Sequence, residues 1–261
     1  MNEVLTLTLV QSALDWENSQ SNIDFFQSVI MDIKEATDLI ILPEMFTTGF
    51  SMRARELAEL PDGLSFKWMQ NIANEKQSAV CGSVIVKEGD RFYNRFMFVK
   101  PDGTFSYYDK RHLFRLAGEN ERFTSGSRRV VVEWKGWRIL PLICYDLRFP
   151  VWSRNRNDYD LIINVANWPA VRSDTWKTLL KARAIENQSF IVGVNRIGTD
   201  GMGYKYSGDS GLYSPYGVEL SEIKPDNQEV LTIKISKKDL QDCRNKYPFF
   251  KDADDFEISG L

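Results

Sequence analysis

Two short apolar runs, each closed by a chemically active side chain, constrain this chain more than any other feature. Leu39-Ile40-Ile41-Leu42 leads through Pro43 to Glu44, and Ile139-Leu140-Pro141-Leu142-Ile143 runs straight into Cys144. An unalternating apolar run of roughly four to eight residues reads as a strand covered on both faces. Such strands need a helix layer or a second sheet on each side, which makes the expected fold layered α/β.

The rest of the pattern supplies those layers. Val4 to Gln11 reads as an opening strand, and Ile23, Phe26, Val29 and Ile30 at helical spacing predict a helix over Ser19 to Lys34. Asp38 to Leu42 is then a strand, Leu64 to Lys76 a helix and Ser78 to Val86 a strand. Arg91 to Lys100, the turn Pro101-Asp102-Gly103 and Thr104 to Tyr108 predict a hairpin. Arg129 to Trp134, Lys135-Gly136 and Trp137 to Cys144 predict a second. A strand at Asp160 to Asn164, a helix around Asp174 to Asn187, a strand at Ser189 to Asn195 and hairpin-like strands to about Ile235 repeat the element order. No linker or low-complexity tract intervenes, so a single domain over residues 1–261 is expected, with mixed sheets face to face and helices outside.

Composition removes several functions. The net charge of -3 offers no basic excess for a phosphate backbone, so nucleic acid is not an expected partner. No apolar run approaches the roughly 20 residues of a membrane span. Met1-Asn2-Glu3-Val4 carries no basic stretch followed by an apolar run, which points to a cytoplasmic protein without a signal peptide. Cys81, Cys144 and Cys243 form neither an even disulfide set nor a metal pattern, so each is judged as a lone thiol. A single histidine, His112, excludes a multi-histidine metal site and leaves one candidate Cys-His pair, His112 with Cys144.

Three residues carry the candidate chemistry. Cys144 stands where an apolar strand gives way to a polar turn, a place for a nucleophile, whereas Cys81 and Cys243 read as small core hydrophobes. Glu44 also closes a buried strand, and in α/β sheets ligands gather at the carboxyl ends of strands. Apolar Leu42, Met45 and Phe46 around it would desolvate the carboxylate and suit it to general base work; a solvated loop carboxylate is the plain alternative. Lys110, in Tyr107-Tyr108-Asp109-Lys110-Arg111-His112-Leu113-Phe114, sits among aromatics where a fixed ammonium would stabilise an oxyanion, although most lysines are simply solvated.

These segments together resemble the nitrilase superfamily of carbon–nitrogen hydrolases. The resemblance is carried by Pro43-Glu44, Lys110-Arg111-His112-Leu113-Phe114 and Cys144-Tyr145-Asp146-Leu147-Arg148-Phe149-Pro150. Val165-Ala166-Asn167-Trp168-Pro169, Ala182 to Asn187 and Gly208-Asp209-Ser210 extend it over nearly the whole chain. Within the superfamily the motifs look most like the omega-amidase group, which acts on 2-oxo-acid amides. The resemblance implies a four-layer αββα sandwich of two mixed sheets flanked by helices, assembled as a homodimer. It also implies a Glu44-Lys110-Cys144 triad with Glu119 as a second carboxylate, Glu121 lying near enough to compete for that role.

The expected reaction is hydrolysis of a small-molecule amide through a cysteine thioester, with no metal or organic cofactor. Glu44 takes the Cys144 proton, and Lys110 with the Tyr145 backbone N–H holds the oxyanion. The carboxylate of a 2-oxo acid calls for a cation or hydroxyl donors; Arg172 and Arg115 are the candidate cations, against the commoner fate of surface arginine. Phe46, Tyr93 and Trp168 are candidate pocket walls, or else core. A nitrilase or an N-carbamoyl amino acid hydrolase would share the triad, and an inactive binding module would keep the fold without the chemistry.

Overall fold

The computed structural model describes residues 3–258, so Met1-Asn2 and the last residues of the expected domain lie outside the described residues. The strands are β1 (Val4–Gln11), β2 (Leu39–Ile41), β3 (Ala79–Glu88), β4 (Arg91–Val99), β5 (Phe105–Asp109), β6 (Val132–Trp134), β7 (Trp137–Ile143), β8 (Leu161–Ala166), β9 (Phe190–Asn195), β10 (Ile197–Thr199), β11 (Lys205–Ser207), β12 (Gly211–Tyr213) and β13 (Glu229–Ser236). The helices are α1 (Ser19–Met31), α2 (Ala54–Leu57), α3 (Leu64–Lys76), α4 (Glu119–Arg122), α5 (Pro150–Ser153), α6 (Ser173–Asn187) and α7 (Lys237–Lys246).

Two mixed sheets form the centre. One has the order β13-β1-β2-β3-β4-β5 and the other β12-β9-β8-β7-β6, with β10 and β11 paired as a separate ribbon. β1, β2 and β3 are parallel, as are β7, β8 and β9, and antiparallel strands extend each triplet at both sides. The two-residue period of a strand decides the layering. Leu5, Leu7, Leu9, Leu39 and Ile41 share a core with Ile139, Ile143, Ile163 and Val165 of the facing sheet. Val10, Ile40, Leu42 and Val80 point the other way, onto Phe26 and Ile30 of α1 and Met69 and Ile72 of α3. Outside the second sheet, α6 lies so close to β9 that a Cβ at Gly193 would stand 2.6 Å from Leu180 and Trp176.

The expected mixed α/β architecture, with two sheets and flanking helices, is the one observed. The hairpin turns fall at Pro101-Asp102-Gly103 and Lys135-Gly136 as read, and both strand-end residues emerge at carboxyl ends of parallel strands. The α1 helix stops at Met31, three residues short of the reading, and the Asp32 N–H caps it on the Ser28 and Ile30 carbonyls. α7 was not anticipated, since only Leu240 and Cys243 of its ten residues are buried.

Candidate active site

Glu44 follows β2 in a tight turn pinned to β3: the Met45 N–H donates to Ser83 Oγ at 2.8 Å, and Met45 adopts a left-handed φ of 44°. Lys110 leaves β5 with its N–H on the Asn94 carbonyl at 3.0 Å, while its own carbonyl accepts from Gly126 at 2.9 Å. That last approach requires glycine, since a Cβ at Gly126 would stand 2.1 Å from the Asp109 carbonyl oxygen. Cys144 opens a single 3-10 turn, Cys144–Arg148, and is itself left-handed at φ 45°. A non-glycine residue there costs energy that its surroundings must hold.

Asp146 does much of the holding. Its fully buried carboxylate accepts from Ile143 N at 3.1 Å, His112 N at 2.9 Å and Tyr108 Oη at 2.8 Å. It thereby ties the cysteine turn to the strand and loop that carry Lys110. His112 Nδ1 pairs with the same carboxylate at 2.8 Å, and its ring stacks on Phe149 at 3.8 Å. The Cys-His pair is therefore not formed, and the lone histidine belongs to the scaffold.

The side chains converge. Lys110 Nζ lies 2.9 Å from Glu44 Oε1 and 3.0 Å from both oxygens of Glu119. Glu119 opens α4 just after left-handed Gly118 and also accepts the Phe114 N–H at 2.5 Å, whereas Glu121 is exposed. Glu44 further accepts from Asn94 Nδ2 and from the Asn167 N–H, each at 2.8 Å. Cys144 Sγ faces the Asn167 carbonyl at 3.8 Å. Burial pushes the Cys144 thiol well up, the Glu44 charge adds to this, and Lys110 opposes it. These surroundings favour the protonated thiol over the thiolate. Burial alone would lower Lys110, but the Glu119 and Glu44 charges outweigh it and hold the ammonium charged. Burial also raises Glu119, against the pull of Lys110.

Cys144 and Lys110 open into a cavity of about 490 Å³ walled by Trp16, Phe50, Phe114, Tyr145 and Trp168, among others. Arg172 lines it, over the Phe114 ring at 5.5 Å, and so does Arg148, over Trp168 at 4.9 Å. Three candidates from the sequence lie elsewhere. Phe46 is core, packed on Phe26 and Trp68, because the turn after Glu44 sends it to the helix face of the sheet. Tyr93 precedes Asn94 on β4 and so faces away from the carboxylates, toward Arg95. Arg115 is exposed, while its neighbours Phe114 and Leu116 line the cavity. Asn94, Trp16, Phe50 and Arg148 were not singled out. Arg148 and Asn167 lay inside quoted motifs, whereas Asn94 gave no signal.

The sequence matches the carbon–nitrogen hydrolase family over residues 6–245, most of the chain and every residue just described. The chain belongs to the carbon–nitrogen hydrolase family. It is 47% identical to omega-amidase YafV of Yersinia enterocolitica over 97% of this chain and 98% of that one. It is 30% identical to the 2-oxoglutaramate amidase of Bacillus subtilis, covering 95% of this chain and 96% of that one. The crystal structure of XC1258 from Xanthomonas campestris, a CN-hydrolase superfamily protein with an arsenic adduct in the active site, superposes with a TM-score of 0.96 at 42% identity, over 98% and 99% of the two chains.

Proposed function

We propose that this chain is an omega-amidase, hydrolysing the terminal amide of a small 2-oxo-acid amide to carboxylate and ammonia. The observation that carries the chemistry is the buried Lys110 ammonium between Glu44 and Glu119, with the Cys144 thiol opening into the same cavity. The names of the relatives from Yersinia enterocolitica and Bacillus subtilis support the substrate class.

Glu44 takes the Cys144 proton as sulfur attacks the amide carbon, and Lys110 with the Tyr145 backbone N–H receives the oxyanion. Glu44 returns that proton to the departing nitrogen, the C–N bond breaks, and ammonia leaves while the acyl group stays on the Cys144 sulfur as a thioester. Water, deprotonated by Glu44, then cleaves the thioester, and the proton goes back to sulfur. Glu119 keeps Lys110 charged and aimed, and Arg172 and Arg148 supply the cations for the oxo-acid carboxylate. In this reading the chain acts in the cytoplasm as one domain and as a homodimer, without a metal or organic cofactor.

The test is ammonia release from 2-oxoglutaramate and 2-oxosuccinamate, beside a simple nitrile and an N-carbamoyl amino acid, in wild type and Cys144→Ala. Turnover of an oxo-acid amide that vanishes in the variant is the expected result. Turnover confined to the nitrile or the carbamoyl compound would move the substrate class, and none at all would leave a binding module.

A further inference from the structure

The site sets two carboxylates against one ammonium, and Glu44, Glu119 and Lys110 are all at most 1% exposed. An extra buried anion is costly unless neutral donors share its charge. Asn167 N–H serves Glu44 Oε2, and Phe114 N–H serves Glu119 Oε2. Asn94 reaches both acids, its Nδ2 lying 2.8 Å from Glu44 Oε1 and 3.4 Å from Glu119 Oε1.

Two further facts single this residue out. Asn94 is completely buried, and its Oδ1 has no hydrogen-bond partner among the described residues. The amide gives up its acceptor to aim its donor, since the flipped amide would press a carbonyl against two carboxylates. Its backbone carbonyl also accepts the Lys110 N–H at 3.0 Å. One mid-strand residue therefore touches Glu44, Glu119 and Lys110 at once.

We propose that Asn94 is a positioning residue whose amide N–H bridges Glu44 and Glu119 and holds Glu44 in register to take the Cys144 proton. The inference rests on the reading of Glu44 as that base. The titratable groups around the amide are Glu44, Glu119, Lys110 and, beyond them, Cys144. In Asn94→Ala the donor is gone. In Asn94→Asp the shape is kept, but the new carboxyl donates only while protonated and repels both acids once ionised.

The test is the rate of Cys144 alkylation by iodoacetamide across pH, read by mass spectrometry in wild type, Asn94→Ala and Asn94→Asp, with ammonia release from 2-oxoglutaramate measured beside it. Asn94→Ala should alkylate and turn over about 100-fold more slowly, the usual scale for a displaced general base, with KM changed far less. The rate of Asn94→Asp relative to wild type should climb as pH falls. If Asn94→Ala does not fold, the isosteric Asn94→Asp carries the test alone. A ratio that stays flat across pH overturns the inference. Alkylation that depends on Asn94 as described, in a protein that releases no ammonia, would uphold it and overturn the omega-amidase reading instead.

Discussion

Among the described residues neither Arg148 nor Arg172 is ion-paired, yet both guanidinium groups lie over aromatic rings on the cavity wall. Arg53, also on that wall, is already engaged with Glu17 at 2.6 Å. A charge-assisted hydrogen bond to a ligand carboxylate contributes roughly 1.5–3 kcal/mol. Arg172→Ala should therefore raise KM for 2-oxoglutaramate about 10- to 100-fold and leave a neutral amide such as propionamide within about twofold. Steady-state kinetics on both substrates would decide it, and equal effects would take Arg172 out of carboxylate binding. At this scale the sequence was legible where a reactive residue ended an apolar run, as for Glu44 and Cys144. It was not legible for Asn94, an ordinary mid-strand asparagine whose partners come from positions 44 and 119. Tyr93 shows how narrow the margin is, because one step along a strand turns a side chain to the opposite face.

Elements were legible where their burial is periodic and illegible where charge holds them. α3 matches its reading at both ends because six of its residues are buried in helical register. α7 has two buried residues and is fixed instead by Asp160, at the start of β8. That carboxylate receives Arg138 of β7 at 2.8 Å and, from α7, Lys237 at 2.5 Å and Arg244 at 3.2 Å. Burial alone would raise Asp160, but the hydrogen bonds from Arg138 and Lys237 outweigh it and hold the carboxyl far below the usual range. A folded-state pKa below the unfolded one stabilises the protein above the unfolded value, near 4, and this gain is lost as pH falls further. Asp160→Asn should cost about 2 kcal/mol at pH 7, less than a fully buried pair because Arg138 is partly exposed. That corresponds to a Tm lower by about 5 °C, and the gap from wild type should begin to narrow below about pH 4 and keep narrowing toward the much lower folded-state value. Thermal melts of both proteins from pH 3 to 8 would show it, and a gap constant with pH would mean the carboxylate's charge is not what holds α7.

At the scale of the whole molecule, one group of exposed apolar side chains meets at the end of α6. Ile185 at the end of α6 meets the turn at Gly217, where Tyr216 and Val218 are 46% and 57% exposed. Tyr216 packs edge-on against Tyr247, which stacks on Phe249, itself 60% exposed. Exposed aromatic and aliphatic side chains in contact with one another suit a self-complementary contact in the homodimer proposed above. The same helix reaches the active site, because Arg183, two residues before Ile185, donates to the Leu147 carbonyl at 2.7 Å in the turn that Cys144 opens. In the proposed homodimer, packing a second copy on the end of α6 would brace that arginine, and through it the left-handed backbone of Cys144. Ile185→Glu combined with Phe249→Ser should therefore yield a monomer by light scattering, remove the concentration dependence of Tm, and lower kcat while leaving KM near the wild-type value. A wild type that runs as a monomer at every concentration would end the dimer reading. A monomeric variant with unchanged kcat would keep the dimer and detach it from the chemistry, leaving Asp146 and Arg183 to hold the cysteine turn from within one chain.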